Sequence, residues 1–265
     1  MTNAPASPTA RTALITGAGA PDGIGFATAR RLAAAGYRLV LGATTDRIHE
    51  RAQGLNDACG ATIAVGVAAD LTTDDGVART VAAVDEHLGG LDVLVNNAGM
   101  TSAATPLDDA EASAIEELDQ EGWERSLNRN LTTAFLVTKA VLPLLRRSAS
   151  GRIVNVASVS GPVLAFAGDV GYHAAKAGLV GITRALAIDL ATTGITANAV
   201  APGWIDTGSA TDEERAFGRA VPMRRSGTPD EVASAIEYLA SAGASYVTGQ
   251  LLVVDGGNSI QEERV

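Results

Sequence analysis

From residue 11 onward, short apolar runs alternate with longer segments whose apolar positions recur at helical spacing. The short runs are Ala13–Thr16, Arg38–Leu41, Thr62–Val67, Leu91–Val95, Arg152–Val156, Thr196–Val200 and Leu251–Val254, and they predict strands. Several are apolar on nearly every residue, as expected of strands covered on both faces. The helical spacing predicts helices over Ile24–Ala35, Asp46–Ala58, Asp74–His87, Trp123–Arg146, Gly171–Leu190 and Pro229–Ala240. Such β-α-β alternation implies an α/β protein: a doubly wound parallel sheet of about seven strands with helices on both faces. Two polar stretches interrupt the pattern, Thr101–Gly122 and Asp206–Pro222. Both are expected to be long loops of the lid or interface kind.

The 265 residues suit one domain over 11–265, with a Pro-, Ala- and Thr-rich tail at 1–10 expected to be flexible. That tail has neither the basic nor the apolar region of a secretion signal. A composition of 46% hydrophobic and 19% charged residues fits a packed chain rather than a disordered one. The net charge of −10 argues against a nucleic-acid or anionic-membrane partner. No apolar run is long enough to span a membrane, so a cytoplasmic location is expected. A single cysteine, Cys59, excludes an intramolecular disulfide and a Cys-rich metal site, and is expected to be a small buried or half-buried apolar residue. His49 and His87 lack partners at metal-ligand spacing and read as surface residues; no metal is expected.

The first strand runs into TGAGAPDGIGFATAR, Thr16 to Arg30. Glycines at 17, 19, 23 and 25 permit a sharp turn and close approach of a ligand to the backbone. The helix behind them would aim its free N–H groups and positive dipole end at a pyrophosphate. A bare tight turn would look similar, and the plain GxGxxG spacing is not met.

Further landmarks follow in order: Asp70 after the third strand, NNAG at Asn96–Gly99, Trp123 and Asn130, GRIVNVASVSG with Ser158, YHAAK from Tyr172 to Lys176, PG at Pro202–Gly203 with Thr207, and VTGQLLVVDGG. From Arg11 to Gly257 the chain resembles the single-domain short-chain dehydrogenases/reductases, and within them the 3-oxoacyl-carrier-protein reductases. It departs from their TGxxxGxG turn by two extra residues between Gly17 and Gly23, including Pro21 and Asp22. The resemblance implies a Rossmann-like fold and an NAD(P)(H)-dependent oxidoreductase that moves a hydride between a nicotinamide and a ketone or secondary alcohol. It implies dinucleotide contacts from Gly17, Gly19, Asp22, Gly23, Ile24 and Gly25, and from Thr44, Thr45 and Arg47. Asp70, Leu71, Asn97, Ala98 and Gly99 would add further contacts, as would Pro202, Gly203, Ile205 and Thr207. It also implies a homotetramer, with the Trp123–Arg146 and Gly171–Leu190 helices and the last strand at interfaces.

Tyr172 and Lys176 stand four apart and so share a helix face. The ammonium is expected to lower the phenol from its ordinary value near 10 toward acid–base work. The resemblance gives Lys176 the ribose hydroxyls as well, and makes Asn130 the helix asparagine that holds a proton-relaying water. Ser158, at a strand's C-terminal end, is placed to hydrogen-bond the substrate oxygen. Ser160 is the alternative; the resemblance, in which the catalytic serine heads an SxxG stretch, favours Ser158. His173 points about 100° away round the helix and reads as a bystander.

A carboxylate after the second strand reads the NAD ribose, and a base there reads the NADP phosphate. The position taken as discriminating is Thr44. Thr44, Thr45 and Arg47 suit a phosphate, whereas Asp22 and Asp46 speak for NAD, and the balance favours NADP(H) over NAD(H). Val163, Leu164, Phe166 and Ala167, with Trp204 and the 206–222 stretch, would wall an apolar pocket. Arg215, Arg219, Arg224 and Arg225 offer a landing place for an acidic carrier protein or, more simply, a solvated face. The readings left open are a carbonyl reductase, an NAD-dependent dehydrogenase of a secondary alcohol, sterol or sugar, and a non-catalytic dinucleotide sensor.

Overall fold

The structure is a computed structural model that describes residues 10–99 and 113–262. Nearly all of the tail at 1–10, and the first part of the 101–122 stretch, lie outside the described residues. The strands are β1 (Thr12–Ile15), β2 (Arg38–Ala43), β3 (Ala64–Ala68), β4 (Val93–Asn96), β5 (Arg152–Val156), β6 (Thr196–Pro202) and β7 (Leu251–Val254). They form one parallel sheet in the order β3-β2-β1-β4-β5-β6-β7. The order reverses between β1 and β4, which opens a crevice at their C-terminal ends, where α/β sheets hold ligands.

Alternate side chains of each strand feed opposite layers. Ala13, Ile15, Leu39, Leu41, Val93, Val95, Val154 and Val156 pack under α1 (Ile24–Ala34), α2 (Arg47–Cys59) and, later in the chain, α8 (Pro229–Ala240). Leu14, Val40, Leu94 and Ile153 meet α3 (Asp74–Leu88), α5 (Thr133–Leu145) and the end of α6 (Val170–Asp189). Most of these strand residues are fully buried, each worth about 1.5–3 kcal/mol of transfer free energy.

Strand limits moved where side chains took over backbone partners. Thr62–Val67 becomes Ala64–Ala68 because the amide of Asn56 closes a loop ahead of the strand: Oδ1 accepts from Ile63 N and Ala64 N, and Nδ2 donates to Ala64 O. The single helix expected over Trp123–Arg146 is three pieces. It begins earlier, as α4 (Gln120–Leu127), because Asp119 caps Gly122 N at 2.7 Å. It widens to a π turn over Asn128–Thr132 and resumes as α5. Within the stretch expected to be all loop, α7 (Asp212–Ala220) stands on a capping box of Thr211 and Glu214.

Cys59 is exposed, contrary to expectation. It is the last residue of α2, followed by Gly60 in the left-handed conformation that ends the helix facing solvent.

Candidate active site

β1 delivers Thr16 and Gly17 to the crevice, and β4 delivers Asn97 to Gly99 beside them. The buried Thr16 hydroxyl accepts from Asn97 N and Ala98 N, both at 3.0 Å. Asn97 Nδ2 in turn donates to Thr16 O and Gly17 O at 3.2 and 2.9 Å. The side chain of Asn97 therefore braces the turn, leaving backbone to face a ligand. Gly17 has φ +69°, and a Cβ there would stand 2.8 Å from Ala98 Cα. A Cβ on Gly25 would stand 2.5 Å from Gly17 O. Only glycine fits either place. Gly23 begins α1 with no side-chain cap, so the first N–H groups of the helix are free for an anion. The glycine backbone and the uncapped start of α1 suit the pyrophosphate of a dinucleotide.

Asp22, in the insertion, lies across the crevice against Gly208: one of its carboxylate oxygens would meet a Cβ placed there. Thr207 pairs its hydroxyl with Ser209 at 3.1 Å, and Ile205 bridges Gly227. Pro202 ends β6 opposite Val254, and Gly203 packs on Asp255. Asp70 Oδ1 accepts from the Thr72 backbone and hydroxyl at 2.9 and 2.7 Å, tying the carboxylate into the turn that starts α3; Leu71 beside it is buried. After β2, Thr44 is exposed and Arg47 Nε donates to the Thr45 hydroxyl at 3.4 Å. The side chain that abuts the glycine turn is Ala43, 3.0 Å from where a Gly19 Cβ would be, and not Thr44.

The second cluster is set by α6. Asp169 caps its first turn, accepting from Tyr172 N at 3.4 Å. Gly171 lets the helix lie against Ser126 of α4, with a Cβ at 171 only 2.8 Å from that of Ser126. Behind it, Asn155 of β5 donates to Thr183 of α6 at 2.8 Å and accepts from Asn96 of β4 at 2.8 Å, a buried chain that fixes the helix to the sheet. Ser158 stands near enough to the Tyr172 phenol to lower its pKa, and its Oγ accepts from Ser160 N at 3.1 Å. Ser158 rather than Ser160 thus faces the phenol.

One turn on, Lys176 is buried and donates from Nζ to Val156 O at 3.1 Å, 5.5 Å from the centre of the Tyr172 ring. Asn130 sits in the π turn, where its Nδ2 donates to Ser126 O at 3.1 Å. A methyl on Gly99 would be 2.9 Å from Asn130 Oδ1 and 3.3 Å from Lys176 Nζ, so all three groups converge at one point. A π turn offsets the helix by a residue and is frequent at functional sites.

The electrostatics differ from the sequence expectation. Burial pushes the Tyr172 phenol up to about 12, against a smaller lowering by Ser158; the Asp169 and Glu214 charges raise it further. Burial pushes Lys176 down to about 8. Lys176 does not lower the phenol here: its ammonium is turned to Val156 O, and desolvation governs both groups. His173 has a structural place: its Nε2 accepts from Phe166 N at 3.2 Å, its Nδ1 meets Asp169 O at 2.6 Å, and its ring packs edge-on to Phe166 at 4.5 Å. It holds the 162–168 loop over the site. Trp204 and Phe217 of α7 pack together at 5.0 Å on the other side.

A dinucleotide-binding crevice beside a Ser–Tyr–Lys cluster defines a nicotinamide-dependent oxidoreductase. The family model described as enoyl-(acyl carrier protein) reductase matches residues 17–259. The chain is 38% identical over 251 residues to the 3-oxoacyl-[acyl-carrier-protein] reductase FabG of Vibrio cholerae, covering 93% of this chain and 96% of that one. It is 40% identical to the cis-4-hydroxycyclohexanecarboxylate dehydrogenase of Sinomonas cyclohexanicum, with 93% and 96% covered. Among solved structures, levodione reductase superposes with a TM-score of 0.86 at 31% identity, covering 95% of this chain and 98% of that one. The chain belongs to the short-chain dehydrogenase/reductase family and is an NAD(P)-dependent oxidoreductase acting on hydroxyl or carbonyl groups. Among the described residues, no His/Cys/Asp/Glu cluster could hold a metal, and no helix is long and apolar enough to cross a membrane.

Proposed function

We propose that the protein is a carbonyl reductase for ketones of the 3-oxoacyl type, using NADP(H). The observation that carries this reading is the gathering of Ser158, Tyr172, Lys176 and Asn130 at one point beside Gly99, with the phenol kept protonated by burial. Tyr172 donates the proton to the carbonyl oxygen, Ser158 donates a hydrogen bond to that same oxygen, and Lys176 keeps a positive charge behind the phenol. Asn130 steadies the lysine end of the site through the π turn. The bound reduced nicotinamide supplies the hydride. The turn Gly17–Gly25 and the free start of α1 hold the pyrophosphate; Gly99 and Thr207 lie along the same crevice. The uncharged Ala43 at the end of β2 leaves the NAD-reading carboxylate out and supports NADP(H).

A second reading, a dehydrogenase of a cyclic secondary alcohol, is supported by the Sinomonas relative and by the apolar character of the exposed side chains Val163, Phe166 and Phe217. An acidic carrier protein finds less to hold than the sequence promised: Arg215 is paired with Asp206 and Asp212, and Arg225 with Glu231. We read the assembly as a homotetramer, in keeping with exposed Phe135 and Ile188 on α5 and α6.

Tyr172→Phe tests the assignment. It keeps the ring and removes the proton, so reduction of 3-oxoacyl thioesters and cyclic ketones should fall about 10²–10⁴-fold. Dinucleotide affinity should change little. Undiminished turnover on every accepted substrate would sink the assignment.

A further inference from the structure

The enlarged glycine turn is gripped by side chains other than its glycines and the catalytic cluster. Phe26, in the first turn of α1, meets two guanidinium groups, with Arg30 Cζ 5.4 Å and Arg51 Cζ 6.0 Å from its ring centroid. Each arginine also donates to a carbonyl of the turn: Arg30 Nη1 to Pro21 O at 3.2 Å, and Arg51 Nε to Gly19 O at 3.3 Å. Arg30 lies one helical turn beyond Phe26, whereas Arg51 reaches across from α2.

Gly19, which Arg51 touches, is also the residue that abuts Ala43 at the end of β2. The junction of glycine turn and second strand is where the adenosine ribose of a dinucleotide rests. A carboxylate there reads a free 2′-hydroxyl and a cation reads a 2′-phosphate. Ala43 can read neither. Thr44 is exposed, and Arg47 is turned to its own neighbour Thr45. Arg51 is the cation in contact with the turn at that junction. Its side chain is only 24% exposed, with Nε fixed on Gly19 O. Among the described residues its Nη atoms have no hydrogen-bond acceptor, only a loose ion pair from Nη2 to the exposed Glu50 at 3.9 Å. A guanidinium anchored on one edge and open on the other presents a preoriented fork to a dianion.

We propose that Arg51 is the residue that selects NADP(H), its Nη edge binding the 2′-phosphate while Phe26 and Arg30 hold the enlarged turn in register. This deepens the cofactor reading given above and rests on it.

Calorimetric titration of the full chain with 2′-phospho-ADP-ribose and with ADP-ribose tests it without turnover. The wild type should bind the phosphorylated ligand about ten-fold or more tightly, the scale of one charge-assisted pair. Arg51→Gln should erase that preference, lowering affinity for the phosphorylated ligand about ten-fold more than affinity for ADP-ribose, while a cooperative thermal melt reports an intact fold. Arg51→Lys, keeping charge without the fork, should retain part of it. Arg47→Ala should change the preference less than Arg51→Gln does. A wild-type preference that survives in Arg51→Gln, or moves with Arg47 instead, overturns the role of Arg51 and leaves NADP(H) use standing. So does an equal loss of both ligands in Arg51→Gln, which would make Arg51 a brace of the turn alone. Equal wild-type affinity for the two ligands would instead remove the NADP(H) reading itself.

Discussion

Replacing Thr16 by valine swaps a hydroxyl for a methyl of nearly the same size at a position 1% exposed. The hydroxyl is the acceptor for two amides, Asn97 N and Ala98 N at 3.0 Å each, and it donates to Val95 O at 3.4 Å. Valine can accept neither. A buried N–H left without a partner costs about 1–3 kcal/mol. Asn97 and Ala98 are half-buried, so the lower part of that range applies, and the pair should cost about 2–4 kcal/mol. Thr16→Ser keeps the hydroxyl and loses one methyl, about 1 kcal/mol. With a urea slope near 3 kcal/mol/M, the valine variant should unfold about 1 M earlier than wild type, and the serine variant about 0.3 M earlier. Urea titration followed by circular dichroism, at one fixed protein concentration, reads the difference. Because the same amides position the NNAG segment along the crevice, ADP-ribose binding should weaken in valine and persist in serine. Equal midpoints for the two variants would refute the view that this hydroxyl joins β1 to β4.

Two further outcomes follow from the site and its turn. With Lys176 pushed down to about 8, its charged form prevails below that pH; kcat/KM for reduction should fall as pH rises through about 8. The phenol near 12 adds no second limb in the usual range, and a profile flat to about pH 10 would exclude the lysine charge from the step. Gly25→Ala places a methyl 2.5 Å from Gly17 O and 2.6 Å from Asn97 Nδ2. It should cost about 1–3 kcal/mol and weaken ADP-ribose binding, whereas Gly54→Ala, in open space on α2, should stabilise by about 0.5–1 kcal/mol. The reverse ranking in thermal melts would contradict this account of the turn.

Amino-acid order alone determined the seven strands and the parallel doubly wound layering, and the resemblance to the short-chain dehydrogenases/reductases pointed to Ser158, Tyr172 and Lys176. Those features are written in local terms: strands as apolar runs, helices as recurring stripes, and Tyr172 and Lys176 as neighbours four apart. The α7 helix was equally legible through Thr211 and Glu214, and its acidic, polar composition masked it. Other features depended on distance through space. The π turn at Asn128–Thr132 leaves no mark in periodicity. Phe166 meets His173, and Gly19 meets Arg51, from loops that only packing brings near, and Ala43 rather than Thr44 meets Gly19 because β2 runs to residue 43. The ionisation of the catalytic pair was decided last of all. Spacing puts an ammonium beside a phenol, but how much water each loses depends on every element packed around them, and here desolvation moves both groups toward their neutral forms.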